Sequence, residues 1–165
     1  MSRVLVLGVG NPLMGDDGIG QAALERLRAD WELPANVELA DGGTWGMQLI
    51  PAIEAADEVV IVDAIAADRP VGTVVRMARE DLPRLFKMRV SPHHVDLEDV
   101  LALLEFRGSA PERIWAVGIV PGPVDWGIGL SDPVAERIPE LAAAVVADLQ
   151  ERGFDIVPRA EEARR

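Results

Sequence analysis

The chain has 165 residues and not one cysteine. That excludes disulfides, thiolate nucleophiles, iron–sulfur clusters and cysteine zinc sites. Only two histidines, His93 and His94, and four serines, Ser2, Ser91, Ser109 and Ser131, are present. No serine stands in a nucleophile-elbow context, and no Ser/His/Asp arrangement is evident. Positive charge is short too, with a formal net charge of −12. Nucleic-acid affinity rests on neutralising phosphates with Lys and Arg, so no nucleic-acid partner is expected. An anionic membrane surface is disfavoured on the same ground. Long apolar runs are missing: Val4–Leu7 soon gives way to Gly, Asn, Pro and Asp. That stretch is too short for a signal peptide, and no later one could span a bilayer, so a cytoplasmic protein is expected.

What is present is a globular composition, 49% hydrophobic, over a length that suits one domain, 1–165, with a sizeable core. Apolar, β-branched runs at Arg3–Gly10 and Asp57–Ile65 read as strands of a parallel sheet buried on both faces. Asn36–Gly43, Gly72–Ala78 and Arg113–Pro121 read as three more. Between them, residues 18–29 place Ile19, Ala22, Ala23 and Leu27 on one helical face, and 95–106 is strongly amphipathic. A helix over 46–56 is expected to be interrupted or kinked by Pro51. A long one over 131–153 is expected to start at Asp132 as N-cap, with Pro133 at its first position, and to bend at Pro139. The polar residues 155–165 read as a loose tail. Strands alternating with helices predict an α/β fold: a mostly parallel, twisted five-stranded sheet with helices on both faces, in three layers α/β/α. In such sheets ligands bind beyond the carboxyl ends of the strands.

The stretch "GVGNPLMGDDGIG", Gly8–Gly20, follows the first strand. It is not a dinucleotide fingerprint, because Leu13 holds the third glycine position. It comes nearer to a phosphate loop, with four residues between Gly10 and Gly15, but Asp16 and Asp17 stand where Lys and Ser or Thr belong. A loop with its charge inverted suits a cation. The competing reading is that one aspartate caps the following helix. Asp63, ending the run "VVIVDA", is a second carboxylate at a strand's carboxyl end, unless it only bonds loop backbone N–H groups. With an imidazole from "SPHHVDL", two carboxylates make a plausible three-ligand set for a divalent ion, with positions left open.

Together "VLVLGVGNPLMGDDGIG", "ADGGTWGMQL", "VVIVDAI", "SPHHVDLEDVL" and "AVGIVP", in this order from Arg3 to about Gly153, resemble the [NiFe]-hydrogenase maturation proteases. The resemblance implies an endopeptidase that removes a C-terminal tail from the hydrogenase large-subunit precursor after nickel insertion. It implies metal contact and catalysis by Asp17, Asp63 and His93, with His94 outside the ligand set. The first of these positions is Glu or Asp in the family. It further implies that "DGGTWG", with Asp41, Gly42, Gly43 and Thr44, lines the substrate cleft, although an ordinary strand-to-helix turn is an equal reading of those residues.

Nickel is expected to arrive with the substrate, held there by thiolates, and other divalent ions are expected to be able to occupy the site. Whether the metal is only a recognition signal or also acts on the scissile carbonyl or a water stays open. The expected partner is the precursor, and the expected state a monomer. A non-catalytic, nickel-dependent chaperone or checkpoint protein would need the same ligands.

Overall fold

The computed structural model describes residues 1–43, 46–87 and 95–160. Its centre is a five-stranded sheet in the order β3-β1-β4-β6-β5, built from β1 (Val4–Val9), β3 (Val37–Gly43), β4 (Glu58–Ala64), β5 (Val74–Met77) and β6 (Arg113–Ile119). The pairs β1–β3, β1–β4 and β4–β6 are parallel, and the edge strand β5 runs antiparallel to β6.

The three central strands are apolar on both faces because both faces are covered. Val4 and Val6 of β1, Val60 and Val62 of β4, and Val117 and Ile119 of β6 join α1 (Ile19–Asp30) and α6 (Ile138–Glu151) in one core. The alternate residues Leu5, Leu7, Val59, Ile61, Ile114 and Ala116 join the other core, with α2 (Ile50–Glu54), α3 (Leu82–Lys87) and α4 (Val95–Arg107). Period-two alternation thus divides each strand between two helical layers, and the expected α/β/α sandwich is what forms.

Three local expectations need correction. The chain does not run as one bent helix from 131 to 153. It forms α5 (Asp132–Ala135), breaks, and resumes as α6 with Pro139 in its first turn. Proline has no N–H to give and clashes with the carbonyl four residues back, so it opens a new helix more readily than it bends an old one. The N-cap is Ser131, not Asp132. Pro51 likewise sits in the first turn of α2, after a 3-10 turn over Gly46–Leu49, and kinks nothing.

At the other end of the chain, Phe154 and Ile156 are buried, and β7 (Val157–Pro158) pairs antiparallel with β2 (Trp31–Glu32). Arg159 adds bonds from its backbone N–H to Asp30 and from Nε to the Arg28 carbonyl. Polar composition concealed this anchoring, because two apolar side chains and a two-residue ladder suffice for it. Residues 161–165 lie outside the described residues. Among the described residues no helix is long and apolar enough to cross a membrane.

Candidate active site

The strand order creates a crevice. From β1 the chain crosses through α1 to β3 on one side. From β4 it proceeds to β5 and β6 on the other. The connections diverge between β1 and β4, and at such a switch point the loops part and leave room for a ligand. Asp17 lies in the connection leaving β1, and Asp63 is the penultimate residue of β4. Asp63 thus stands at the carboxyl end of one strand that flanks the crevice, and Asp17 in the connection that leaves the other.

The opening loop is held there by close packing. A 3-10 turn, Gly15–Gly18, packs against β4 and leads directly into α1. A Cβ added at Gly20 would overlap the carbonyl oxygens of Val9 and Val62, so only glycine lets α1 begin this near both strands. Gly10 has φ +126°, and a Cβ there would overlap the Asp17 carbonyl oxygen.

The two adjacent aspartates do different things. Asp16 is 1% exposed and accepts three hydrogen bonds from the far side of the sequence. Gly122 N donates to Oδ2 at 2.8 Å, Ser131 N to Oδ1 at 2.7 Å and Ser131 Oγ to Oδ2 at 2.8 Å. Asp16 is thus a clamp on the segment 122–131. It also explains why Ser131 caps α5 by position without a side-chain cap bond: its hydroxyl is committed to Asp16. Asp17, 4% exposed, accepts the Asn11 N–H on Oδ2 at 3.0 Å. Met14 is the N-cap of the 3-10 turn and Gly18 that of α1, so neither aspartate holds a cap position, and both lie in the first turn of the 3-10 helix, where a carboxylate complements the helix dipole.

Asp63 is completely buried and accepts the Ala64 N–H on Oδ1 at 2.7 Å. The donor is the last residue of β4 and not a loop residue.

Asp41, Gly42 and Gly43 are strand residues rather than a free loop. Asp41 lies opposite Gly8 and Gly43 opposite Val9, which leaves Gly42 as the extra residue of a bulge. Gln21 ties this bulge to the opening loop. Its Nε2 donates to the Gly10 carbonyl at 2.8 Å and to Asp41 Oδ1 at 3.1 Å. Asp41 Oδ1 also accepts the Gly43 N–H at 2.9 Å. Sequence reading missed both Gln21 and the role of Asp16. A glutamine one turn into an otherwise apolar helix face was the available signal for the first. The partners of Asp16 are over a hundred residues away, and nothing local announces them.

Thr44, His93 and His94 lie outside the described residues. Among the described residues no group of three or more His, Asp or Glu side chains forms a cluster able to hold a metal. Two carboxylates at one crevice supply hard oxygen donors, a chemistry that suits a divalent cation when a further ligand joins them.

The sequence profile of the hydrogenase maturation proteases matches residues 22–148. Over 158 residues the chain is 39% identical to the hydrogenase 2 maturation protease of Escherichia coli strain K12, covering 95% of this chain and 96% of that one. Its fold is similar to the hydrogenase maturating endopeptidase HybD of E. coli, with a TM-score of 0.89 and 39% identity over 95% of this chain and 98% of that one. The [NiFe] hydrogenase maturation protease HybD of Thermococcus kodakarensis stands further off, at 29% identity and a TM-score of 0.71, over 89% and 98% of the two chains.

Proposed function

Because the chain belongs to the hydrogenase maturation protease family and is an endopeptidase, a hydrolase, we propose that it removes the C-terminal extension of a [NiFe]-hydrogenase large-subunit precursor after nickel has been inserted. Asp17, Asp63 and His93 are the residues we assign to contact with the substrate's nickel. The observation that carries this reading is that Asp63 lies near the carboxyl end of β4 and Asp17 in the 3-10 turn that leaves β1 and packs against β4, at the switch point.

The chemistry follows from the donor types. Nickel in the precursor is substrate, held there by thiolates. Carboxylate and imidazole are harder ligands and can engage the ion without drawing it from softer sulfur. The site then reads the presence of a cation, and its negative charge is what a test for a cation requires. Among the described residues every serine hydroxyl, on Ser2, Ser109 and Ser131, is committed to a carboxylate. Cysteine is absent, and Ser131, the serine bonded into the opening loop, has its hydroxyl on Asp16. Water therefore adds to the scissile carbonyl carbon, and the C–N bond breaks. A carboxylate at the crevice takes the water's proton and returns it to the departing amine. The reading carries with it a monomer working in the cytoplasm.

Metal-free enzyme mixed with precursor prepared with and without nickel tests the proposal, the product being followed by mass. Shortening of the nickel-loaded precursor alone is the expected result. Equal cutting of both forms overturns nickel dependence, and binding without cutting points to a checkpoint protein instead.

A further inference from the structure

Three large apolar side chains stand in solvent beside the opening loop: Leu13 at 52% exposure, Trp126 at 81% and Ile128 at 89%. Scattered exposed apolar residues are ordinary. These differ in being gathered on a braced ribbon. Gly127 N donates to the Leu13 carbonyl at 2.9 Å, and Gly15 N donates to the Gly127 carbonyl at 2.8 Å. The ends of the same segment, Gly122 and Ser131, are bonded to the buried Asp16 carboxylate. The segment is thus pinned at both ends and in the middle, and it presents Trp126 and Ile128 outward from fixed backbone. A backbone that need not be ordered on contact loses less entropy on binding.

Beneath the ribbon is an open recess of about 150 Å³, lined by Pro12, Gly18, Gln21, Ala22, Ile128 and Leu130. The recess is continuous with the loop that carries Asp17, two residues after Gly15. Asp125 is the only charged residue between 121 and 131, and Glu25 also borders the recess. Both are negative, so an acidic occupant is repelled.

We propose that Leu13, Trp126 and Ile128 form a docking ledge that holds an apolar, non-acidic segment of the precursor polypeptide beside the crevice. The proposal rests on the reading of the chain as an endopeptidase acting on that precursor. An endopeptidase must hold a polypeptide against its working carboxylates, and this ledge is an apolar surface joined by backbone bonds to the loop bearing one of them. Aromatic anchors in such positions dominate the energetics of protein contacts.

The test compares wild type, the double variant Trp126→Ala/Ile128→Ala and the control Phe106→Ala. Phe106 is 90% exposed and lies on α4, in the layer opposite α1. Cutting of nickel-loaded precursor is measured against precursor concentration, and binding is measured in parallel by calorimetry. The double variant is expected to raise KM and Kd about tenfold or more while kcat at saturation stays within about twofold. Phe106→Ala should change neither. Both ledge side chains are mostly in water, so the fold does not depend on them. Ile128→Ser alone should act in the same direction with a smaller effect.

Equal KM and Kd for wild type and the double variant would overturn the ledge. So would a wild-type dimer that the double variant converts to monomer without change in KM, because the ledge would then serve a second copy of the chain. If wild type binds the precursor through the ledge but never shortens it, the processing reading fails while the ledge stands. If wild type neither binds nor cuts, both fail.

Discussion

Strand β4 carries a buried acid near each end, and the two are held in different ways. At the amino end Glu58 is 2% exposed and meets two guanidinium groups, Arg113 Nη1 on Oε1 at 3.2 Å and Arg152 Nη1 on Oε2 at 3.3 Å. Ser2 Oγ adds a bond at 3.3 Å, and Arg152 lies 4.0 Å over the Trp115 ring. Near the carboxyl end stands Asp63, accepting a backbone N–H, with Asp17 and Asp16 close by in the loop from β1. Asp16 is held by uncharged donors throughout. Guanidinium cancels a carboxylate's charge on the spot, while amide and hydroxyl dipoles stabilise the charge and leave its sign in place. At the amino end the acid's charge is therefore cancelled where it stands. At the other end Asp16 keeps its sign.

Substitutions at the two ends should separate these roles. The largest effect is expected from Asp17→Asn and Asp63→Asn, which keep shape and remove charge. Each should lower processing of nickel-loaded precursor by about 10²-fold or more, read from the rate of product formation. Activity near wild type in either variant would remove that residue from the working set.

Gly20→Ala should come next. The added methyl meets backbone carbonyls of β1 and β4, which cannot swing aside, so it should cost about 1–3 kcal/mol in denaturant unfolding and reduce processing as well. At the amino end, Glu58→Gln should lower stability by about 1–2 kcal/mol and leave processing per folded molecule unchanged. The loss is limited because Arg113 and Arg152 are partly exposed and can rehydrate. A fall in processing with unchanged stability would break the contrast between the ends. The smallest effect is expected from Ser131→Ala, about 1 kcal/mol for a hydroxyl bond to a carboxylate that keeps two backbone donors. It should loosen the segment 122–131 enough to show as faster amide exchange there.

Much of this was legible in the chain itself. The runs around Val4–Val9, Glu58–Ala64 and Arg113–Ile119 announce central strands because burial on both faces leaves their middles without polar positions. An aspartate at the close of such a run declares a strand end, and the fold puts Asp63 there. What could not be read depends on distant partners. Nothing near Asp16 tells it from Asp17, since its donors come from residues 122 and 131. The antiparallel course of β5 depends on which edge of β6 is free. The pairing of Trp31–Glu32 with Val157–Pro158 joins two segments too short to show any period. Proline was read as a bend where it is a start, because local sequence shows the missing N–H without showing which turn of the helix it will occupy.

The span of the Asp16 clamp has a consequence for the order in which the molecule is made. Asp16 leaves the ribosome early, and Ser131 follows 115 residues later. By then β1, β3, β4, β5 and β6 have all been synthesised, and the apolar layers around them can begin to close. Until Gly122 and Ser131 emerge, Asp16 must keep its charge in water, and the loop bearing Asp17 lacks its brace. Contacts between residues so far apart in sequence form late, since a long loop must close before they contribute. The loop bearing Asp17 is accordingly braced only after all five strands of the sheet have been made.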